Sequence, residues 1–271
     1  MGIVYIKFAQ ILATQNYGNI FTENDREMLS SICDNCNPIS FDKIENILKK
    51  EYGENLYDIF TFIDKKPIGS ASISQVHKAI LRNGEEVAIK IKREDITNNI
   101  NKEIERLKLL IHRFGKFVKF ENYIGSEKAL DLFSKWINEE ADFEHEQKNI
   151  KLYQNFANTV NDKLENTKRI KIPKLYNKYC TNNVIVMEFI KDNTINKLES
   201  SEHNKEKIIN AINSYIKSSF YALFNDKQII FHGDPHSGNI YIDEFENIGF
   251  LDMGLLFALT KDDQKLLKNF F

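Results

Sequence analysis

The stretch Phe231–Gly254, FHGDPHSGNIYIDEFENIGFLDMG, constrains this chain more than any other. Apolar residues alternate in Asn239–Ile242 and recur in Ile248–Met253, with the polar run DEFEN between them. That pattern predicts a β-hairpin, because successive strand side chains face opposite sides. Such a hairpin carries Asn239 and Asp252 to the same end of two paired strands. A carboxylate and an amide oxygen there suit a hard cation such as Mg²⁺, which takes few protein ligands and shares the rest with phosphates. Asp234, five residues before Asn239 on the preceding loop, is placed to receive a proton from an attacking hydroxyl group.

An Asp and an Asn five apart, followed by an Asp-x-Gly, form the catalytic and metal loops of a kinase-like phosphotransferase, with HGD in place of HRD and DMG in place of DFG. Each piece alone reads better as a polar loop or an ordinary strand end. Together, in this order and spacing, they point to phosphoryl transfer. A second chemistry competes, since His232, Asp234 and His236 alternate and could ligate zinc from one strand face. Gly233 and Pro235 argue against a regular strand there. The chain has only 6 histidines and no HExxH pair.

A chain of 271 residues can bury a large core, as one domain or as two lobes. Its formal net charge of −2 gives no support to a nucleic-acid binder or a polybasic membrane face. No apolar run approaches the roughly 20 residues of a spanning helix, and runs such as VIVMEFI are strand-sized. The N-terminus lacks the basic-then-apolar pattern of a secretory signal, and Ile6 stands where myristoylation needs Ser or Thr. Cys33, Cys36 and Cys180 cannot form a disulfide scaffold and indicate a reducing compartment, cytoplasmic or peripheral to a membrane. Cys33 and Cys36 form a CxxC without the second pair that zinc needs.

Along the chain, IVYIKFAQILATQ predicts a helix with Lys7 and Gln10 on one face. A second helix follows Ser40 as N-cap, buries Phe41, Ile44, Ile47 and Leu48, and ends at Gly53. Asn83-Gly84 predicts a type I′ hairpin turn joining strands Ser72–Leu81 and Glu86–Lys92. The small residues Gly69, Ser70, Ala71 and Ser72 precede it, so backbone N–H groups can approach a phosphate. Lys90 lies inside the second strand between Ile89 and Ile91, where it can face solvent or reach phosphates. Apolar spacing predicts a helix from Asn99 to Val118, and one long helix from Ser126 to Phe156 carrying Glu140, Asp142 and Glu146. IPKLY and VIVMEFI are β-prone, and the second leads into a hinge whose backbone at Glu188 and Ile190 can hydrogen-bond an adenine. A helix with Ile208, Ile209, Ile212, Tyr215, Ile216, Leu223 and Phe224 on its apolar side leads to the loop at Asp234. A last helix starts at Thr260, with Leu266, Leu267, Phe270 and Phe271 exposed to a partner or to self-association.

These residues resemble the ABC1/UbiB/ADCK family of atypical protein-kinase-like proteins over nearly the whole chain. KFAQ (7–10) is similar to the family's KxGQ motif, PIGSASISQVH to its Ala-rich nucleotide loop, and VAIK to its lysine strand. EAD (140–142) is similar to its ExD motif, HGDPHSGN to its HGDxHxGN loop, and LDMG to its DFG. Aminoglycoside and choline kinases share the HGD and Asn portion, but not the SASISQVH loop or the KFAQ helix. Ala9 replaces the Gly of KxGQ, Gly69 and Ser70 replace alanines, and Met253 replaces Phe.

The resemblance implies an α+β, two-lobed protein-kinase-like fold that binds ATP or ADP with Mg²⁺. It implies an N-terminal helical extension over 1–66, a nucleotide-binding lobe with inserted helices over 67–190, and a partial C-terminal lobe over 191–271. In that frame Lys90 is the phosphate lysine with Glu146 as its partner, Asp234 the catalytic acid-base group, and Asn239 and Asp252 the metal ligands. Ile68, Gly69, Ser70, Ala71, Ser72, Gln75, Val76, Lys90, Glu188 and Ile190 bind nucleotide. Lys7 and Gln10, with Glu140 and Asp142, mark the atypical branch, and Lys7 is expected beside Glu140 or Asp142, its helix lying where a protein kinase admits a peptide. The family is linked to ubiquinone biosynthesis and lipid metabolism, so a lipid or quinone precursor is an expected partner, with peripheral membrane contact. Few residues follow Asp252, so a further partner is expected to complete the C-terminal lobe. A nucleotide-binding regulator without phosphotransfer is the alternative function.

Overall fold

The computed structural model describes residues 2–14, 22–24, 37–94, 96–118, 127–162, 169–198, 201–225 and 227–270. Cys33, Cys36, Ser126 and Phe271 lie outside the described residues, as do the side chains of Gln10, Phe114 and Phe117. The chain divides into two compact units, one of Met1–Phe143 with Thr181–Val184, the other of Glu144–Cys180 with Ile185–Phe271.

In the first unit, α1 (Ile3–Thr14) packs on α4 (Ile96–Val118), whose Glu103 accepts the Val4 N–H at 3.0 Å. A carboxylate there satisfies an otherwise orphaned amide and complements the positive helix end. Helix α2 (Phe41–Tyr52) follows Ser40, buries Ile44, Ile47 and Leu48, and closes at Gly53 with φ 60°. The short α3 (Leu56–Ile59) then delivers the chain into an antiparallel meander of β1 (Phe60–Ser70), β2 (Ser74–Leu81) and β3 (Glu86–Lys92).

The β2–β3 connection differs from the expected type I′ turn. The Gly84 N–H bonds Leu81 O at 2.8 Å and the Leu81 N–H bonds Glu85 O at 2.9 Å. Gly84 alone has positive φ, at 88°, and Asn83 stays on the negative side. This is the three-residue alternative, a turn through Arg82 and Asn83 followed by a left-handed glycine. Asn83 Oδ1 accepts the Glu85 N–H instead, using its side chain locally.

The expected single helix from Ser126 to Phe156 is also two, α5 (Glu127–Glu140) and α6 (Phe143–Asn161). The Ala141 and Asp142 amides close the first helix on Ile137 and Glu139, and Glu144 and Glu146 occupy the first turn of the second. Asp142 stands just before the new helix, where a short acidic residue favours a start over a continuation.

In the second unit, Tyr153 of α6 stacks on Phe156 and packs against Phe250, which also contacts Tyr215 and His232. Around this aromatic centre stand β4 (Ile170–Lys171), β7 (Ile240–Ile242) and β8 (Ile248–Phe250), in the order β4-β8-β7. The unit also holds β5 (Val184–Glu188), apart from Val184, and the pair β6 (Ile230–His232) and β9 (Leu256–Ala258). Helix α7 (Glu202–Phe224) is capped by Ser201, whose hydroxyl accepts the Asn204 N–H.

The orientation of α7 corrects the sequence reading. Its buried side consists of Ala211, Ser214, Ser218, Ser219, Ala222 and Leu223, while Ile209, Ile212, Ile216 and Phe224 are exposed. Ser218 and Ser219 return their hydroxyls to the carbonyls of Ser214 and Tyr215, which lets a small, nominally polar face be buried. Helix α8 (Lys261–Phe270) follows Thr260, as expected, with a reciprocal cap between Thr260 and Asp263. No described helix is long and apolar enough to cross a membrane.

Candidate active site

The second unit holds the loop and hairpin that the sequence singles out. Strand β6 ends at His232, whose Nδ1 accepts the Asp234 N–H at 3.1 Å while Nε2 bonds the Asp252 carbonyl. One nitrogen accepts and the other donates, so the ring is the neutral Nε2–H tautomer. Burial holds it neutral by pushing its pKa below the ordinary histidine value. Phe250 stacks on the ring at 5.1 Å, and the Tyr215 hydroxyl bonds the His232 backbone. With both nitrogens engaged internally, His232 is unavailable as a zinc ligand, and the described residues contain no cluster of three His, Cys, Asp or Glu able to hold a metal.

Gly233 is required by space. A Cβ there would stand 2.4 Å from Leu255 Cγ, and the Gly233 N–H bonds Leu255 O at 2.8 Å. The chain then reaches Asp234, whose side chain is 59% exposed and lies 3.8 Å from His236 Nε2. His236 Nδ1 accepts the Gly238 N–H, and the Asn239 N–H bonds His236 O at 2.9 Å. Asn239 Nδ2 donates to the Asp234 carbonyl at 3.4 Å, which leaves the amide oxygen out of this bond.

The predicted hairpin forms, with Ile240 opposite Phe250 and Ile242 opposite Ile248. The Leu251 N–H bonds Asn239 O at 2.9 Å, so Asn239 and Asp252 emerge at one end of β7 and β8. Asp252 Oδ1 accepts the Gly254 N–H at 2.9 Å, which fixes the carboxylate on its own turn. Asn149 of α6 donates to the Met253 carbonyl at 2.9 Å. Sequence reasoning missed Asn149; a buried amide in a helix facing an irregular loop has no short-range signature.

In the first unit Lys90, 7% exposed, lies in β3 opposite Val76. Its ammonium is 5.6 Å from the Phe143 ring centre, and Lys92 is 4.9 Å from the same ring. Phe143, buried and flanked by two cations, is another contact that the sequence did not reveal. The loop between β1 and β2 is short, with the Ala71 N–H on Ser74 O. A Cβ built at Gly69 meets nothing within 4 Å, so backbone there borders open space, while Ile68 is exposed and Val76 half-buried.

Gln75 has a different position from the one expected of a ligand contact. It is fully buried, its amide bonds both the N–H and the carbonyl of Ile39, and Nε2 also meets His77. Its side chain secures the segment before α2.

Glu146, 1% exposed, sits in the first turn of α6 in the second unit. Glu188 ends β5; its N–H and one carboxylate oxygen both bond the Lys174 backbone. Of the Glu188 backbone, only the carbonyl can therefore serve a ligand, with Ile190 two residues on. Lys7 reaches Glu140 at 2.5 Å and lies 5.5 Å from the Trp136 ring centre. The conjunction of the two short motifs predicts that contact, whereas Asp142 is exposed beyond the end of α5.

Comparison with known proteins identifies the family. The model of the ABC1 atypical kinase-like domain matches residues 31–271. An uncharacterised Clostridium pasteurianum protein encoded in the 5′ region of hydrogenase 1 is 32% identical across 96% of this chain and 47% of its own length. A probable protein kinase UbiB of Histophilus somni is 28% identical over 100% of this chain and 49% of its own. A chloroplastic Arabidopsis thaliana protein, Activity of bc1 complex kinase 1, is 30% identical over 98% and 38%. The chain thus spans about half the length, or less, of these curated relatives. Among solved structures, Mycobacterium tuberculosis Rv3197, determined in complex with erythromycin, shares the fold with a TM-score of 0.62 at 20% identity, over 95% of this chain and 60% of that one. The loop at Asp234, the hairpin beyond it and the family match lead to one assignment: this chain belongs to the ABC1 atypical kinase-like family.

Proposed function

We propose that the protein binds ATP or ADP with Mg²⁺ and transfers or hydrolyses the terminal phosphoryl group. The observation that carries this reading is the closed His232–Asn239 loop joined to the β7–β8 hairpin, which presents Asn239 and Asp252 at one strand end beside an exposed Asp234. The donor set fits Mg²⁺, since both groups are hard oxygen donors and too few to complete a coordination shell without water and phosphate. When bound, the cation supplies charge neutralisation to the phosphate oxygens. Asp234 accepts the proton of the attacking hydroxyl, and His232, held neutral, fixes the spacing between the Asp234 amide and the Asp252 carbonyl. Lys90 supplies a fixed positive charge for the phosphates, and open space at Gly69 admits them to backbone. Glu146 is assigned to the same machinery as a buried carboxylate, and the Glu188 carbonyl and Ile190 to the nucleotide base.

A second reading is a nucleotide-binding regulator that does not phosphorylate a partner. The Lys7–Glu140 pair favours it, because it anchors α1 by a contact that serves no step of transfer. The experiment is incubation of purified protein with labelled ATP and Mg²⁺, with and without lipids resembling quinone precursors, following ADP and labelled acceptor separately. Labelled lipid or protein supports the kinase, ADP alone an ATPase, and nucleotide binding without turnover the regulator. No nucleotide binding overturns all three.

A further inference from the structure

We propose that Arg93 is the positioning residue of the nucleotide loop, and that it ties the conformation of that loop to the segment entering α2; the inference deepens the nucleotide-binding reading and rests on it. Arg93 lies just after β3, three residues beyond Lys90. Its backbone N–H bonds Ile73 O at 2.9 Å and its Nε bonds Ala71 O at 3.0 Å. Nη2 bonds Ser70 Oγ at 2.9 Å and also Asn37 O at 3.1 Å. One side chain and its own amide thus grip the loop at Ser70, Ala71 and Ile73, and reach the backbone in front of α2.

The β1–β2 ladder holds one end of the loop, where Ser70 pairs with Gln75, and burial of Ile73 holds the other. The loop contains no proline, Ser70, Ala71 and Ser72 are small, and the Ala71 N–H closes its backbone on Ser74 O. A loop that must hold N–H groups in one arrangement for an anion loses conformational freedom on binding unless that arrangement is already fixed. A planar guanidinium, with donors in a rigid fork, fixes several acceptors at once, and a lysine ammonium on a flexible stem does not. The cation also places positive charge beside backbone proposed to meet phosphate.

The far end of the grip explains a second feature. Gln75, the second residue of β2, holds both backbone groups of Ile39. Arg93 holds the carbonyl of Asn37, two residues earlier. Gln75 on β2 and Arg93 just after β3 therefore fasten the same short segment, and a displacement of that segment pulls on Arg93 and so on Ser70 and Ala71. Arg93 links the N-terminal part of the chain to the nucleotide loop.

Arg93→Lys, which keeps the charge and removes the fork, separates geometry from electrostatics. Calorimetric titration with Mg-ATP, a thermal melt, and amide exchange of the nucleotide-free protein are measured on wild type, Arg93→Lys and Ser70→Ala. The expected result is an affinity for Mg-ATP lowered about tenfold in Arg93→Lys, the scale of one lost charge-assisted contact set. Exchange should rise together at 70–74 and at 37–40, with the melting temperature little changed. Ser70→Ala, which removes one acceptor and leaves folding intact, should move affinity in the same direction by less, and add little in the Arg93→Lys background. Wild-type affinity and exchange in Arg93→Lys would overturn the proposal, as would a rise confined to 70–74 for the link to the α2 segment. If wild type binds no nucleotide, the functional reading fails, and the exchange arm still decides whether Arg93 holds the loop.

Discussion

His77 is fully buried in β2, and its neighbours assign its protons. Nε2 faces the Gln75 amide nitrogen at 3.0 Å, so it must accept, and Nδ1 therefore donates to the Asp64 carbonyl at 2.7 Å. Phe41 closes the ring from the side, edge-on at 5.8 Å. A protonated ring would put two donors face to face and would force the Gln75 amide to release Ile39. Burial pushes the pKa of His77 below the ordinary histidine value, with the Asp64 backbone pulling weakly the other way. The unfolded chain therefore takes up this proton first, at about pH 6.5, and stability falls as pH drops from there toward the lower folded value. His232 adds a loss of the same sign. Melting temperature should fall between about pH 7 and pH 5, and less steeply in His77→Asn; equal slopes in the two proteins would refute the assignment. The two carboxylates of the site should divide differently. Asp252→Asn should remove Mg²⁺-dependent nucleotide binding, because it takes charge from the proposed metal site, whereas Asp234→Asn should keep binding and lose turnover. Titration of both variants with Mg-ATP checks this, and equal loss of binding would contradict it.

Among elements, the β7–β8 hairpin is the one on which the site depends, and Gly249 shows how tightly it is built. A Cβ at Gly249 would stand 2.0 Å from Tyr241 Cζ, on the strand opposite. Tyr241 is buried, its pKa raised by desolvation, so its ring has little freedom to yield. Gly249→Ala should cost about 1–3 kcal/mol through overpacking and weaken Mg-ATP binding by disturbing Asn239 and Asp252; an unchanged melt would show that the hairpin gives way freely. This hairpin was legible in the sequence because its signal is local, two alternating runs around a polar turn. So were the limits of α2, the strands around Lys90 and the helix from Thr260. What was illegible depends on tertiary surroundings or on a choice between close alternatives. Asn83-Gly84 satisfies either of two hairpin loops, and only Gly84 takes positive φ. Apolar spacing ran unbroken across Ala141 and Asp142, which hid a helix start. In α7 the isoleucines marked the wrong face, since serines that bond their own carbonyls can be buried and still be satisfied. Gln75 was expected to meet a ligand, and nothing in its neighbourhood of sequence discloses Ile39 as its partner.

At the scale of the whole molecule, the proposed activity draws on both compact units, Lys90 and the small-residue loop in one, Asp234, Asn239, Asp252 and Glu146 in the other. Lys90 and Glu146 are 7% and 1% exposed, and charges so deeply buried are costly unless they are compensated. Two accounts of these burials differ in what a double substitution does. If Lys90 and Glu146 serve one step of turnover, removing either disables that step, and removing both does little more. If each is only a structural charge of its own unit, the losses multiply and follow the loss of folding stability. We expect Lys90→Met and Glu146→Gln each to lower kcat/KM for ATP turnover by about a hundredfold or more, the scale seen when a preorganised electrostatic group is lost. The double variant should fall no more than a few-fold further. Steady-state ADP release and thermal melts on the four proteins of this cycle give the answer. A double variant whose loss equals the product of the single losses, with melting temperature falling in step, would show that Lys90 and Glu146 do not act in one step of phosphoryl transfer.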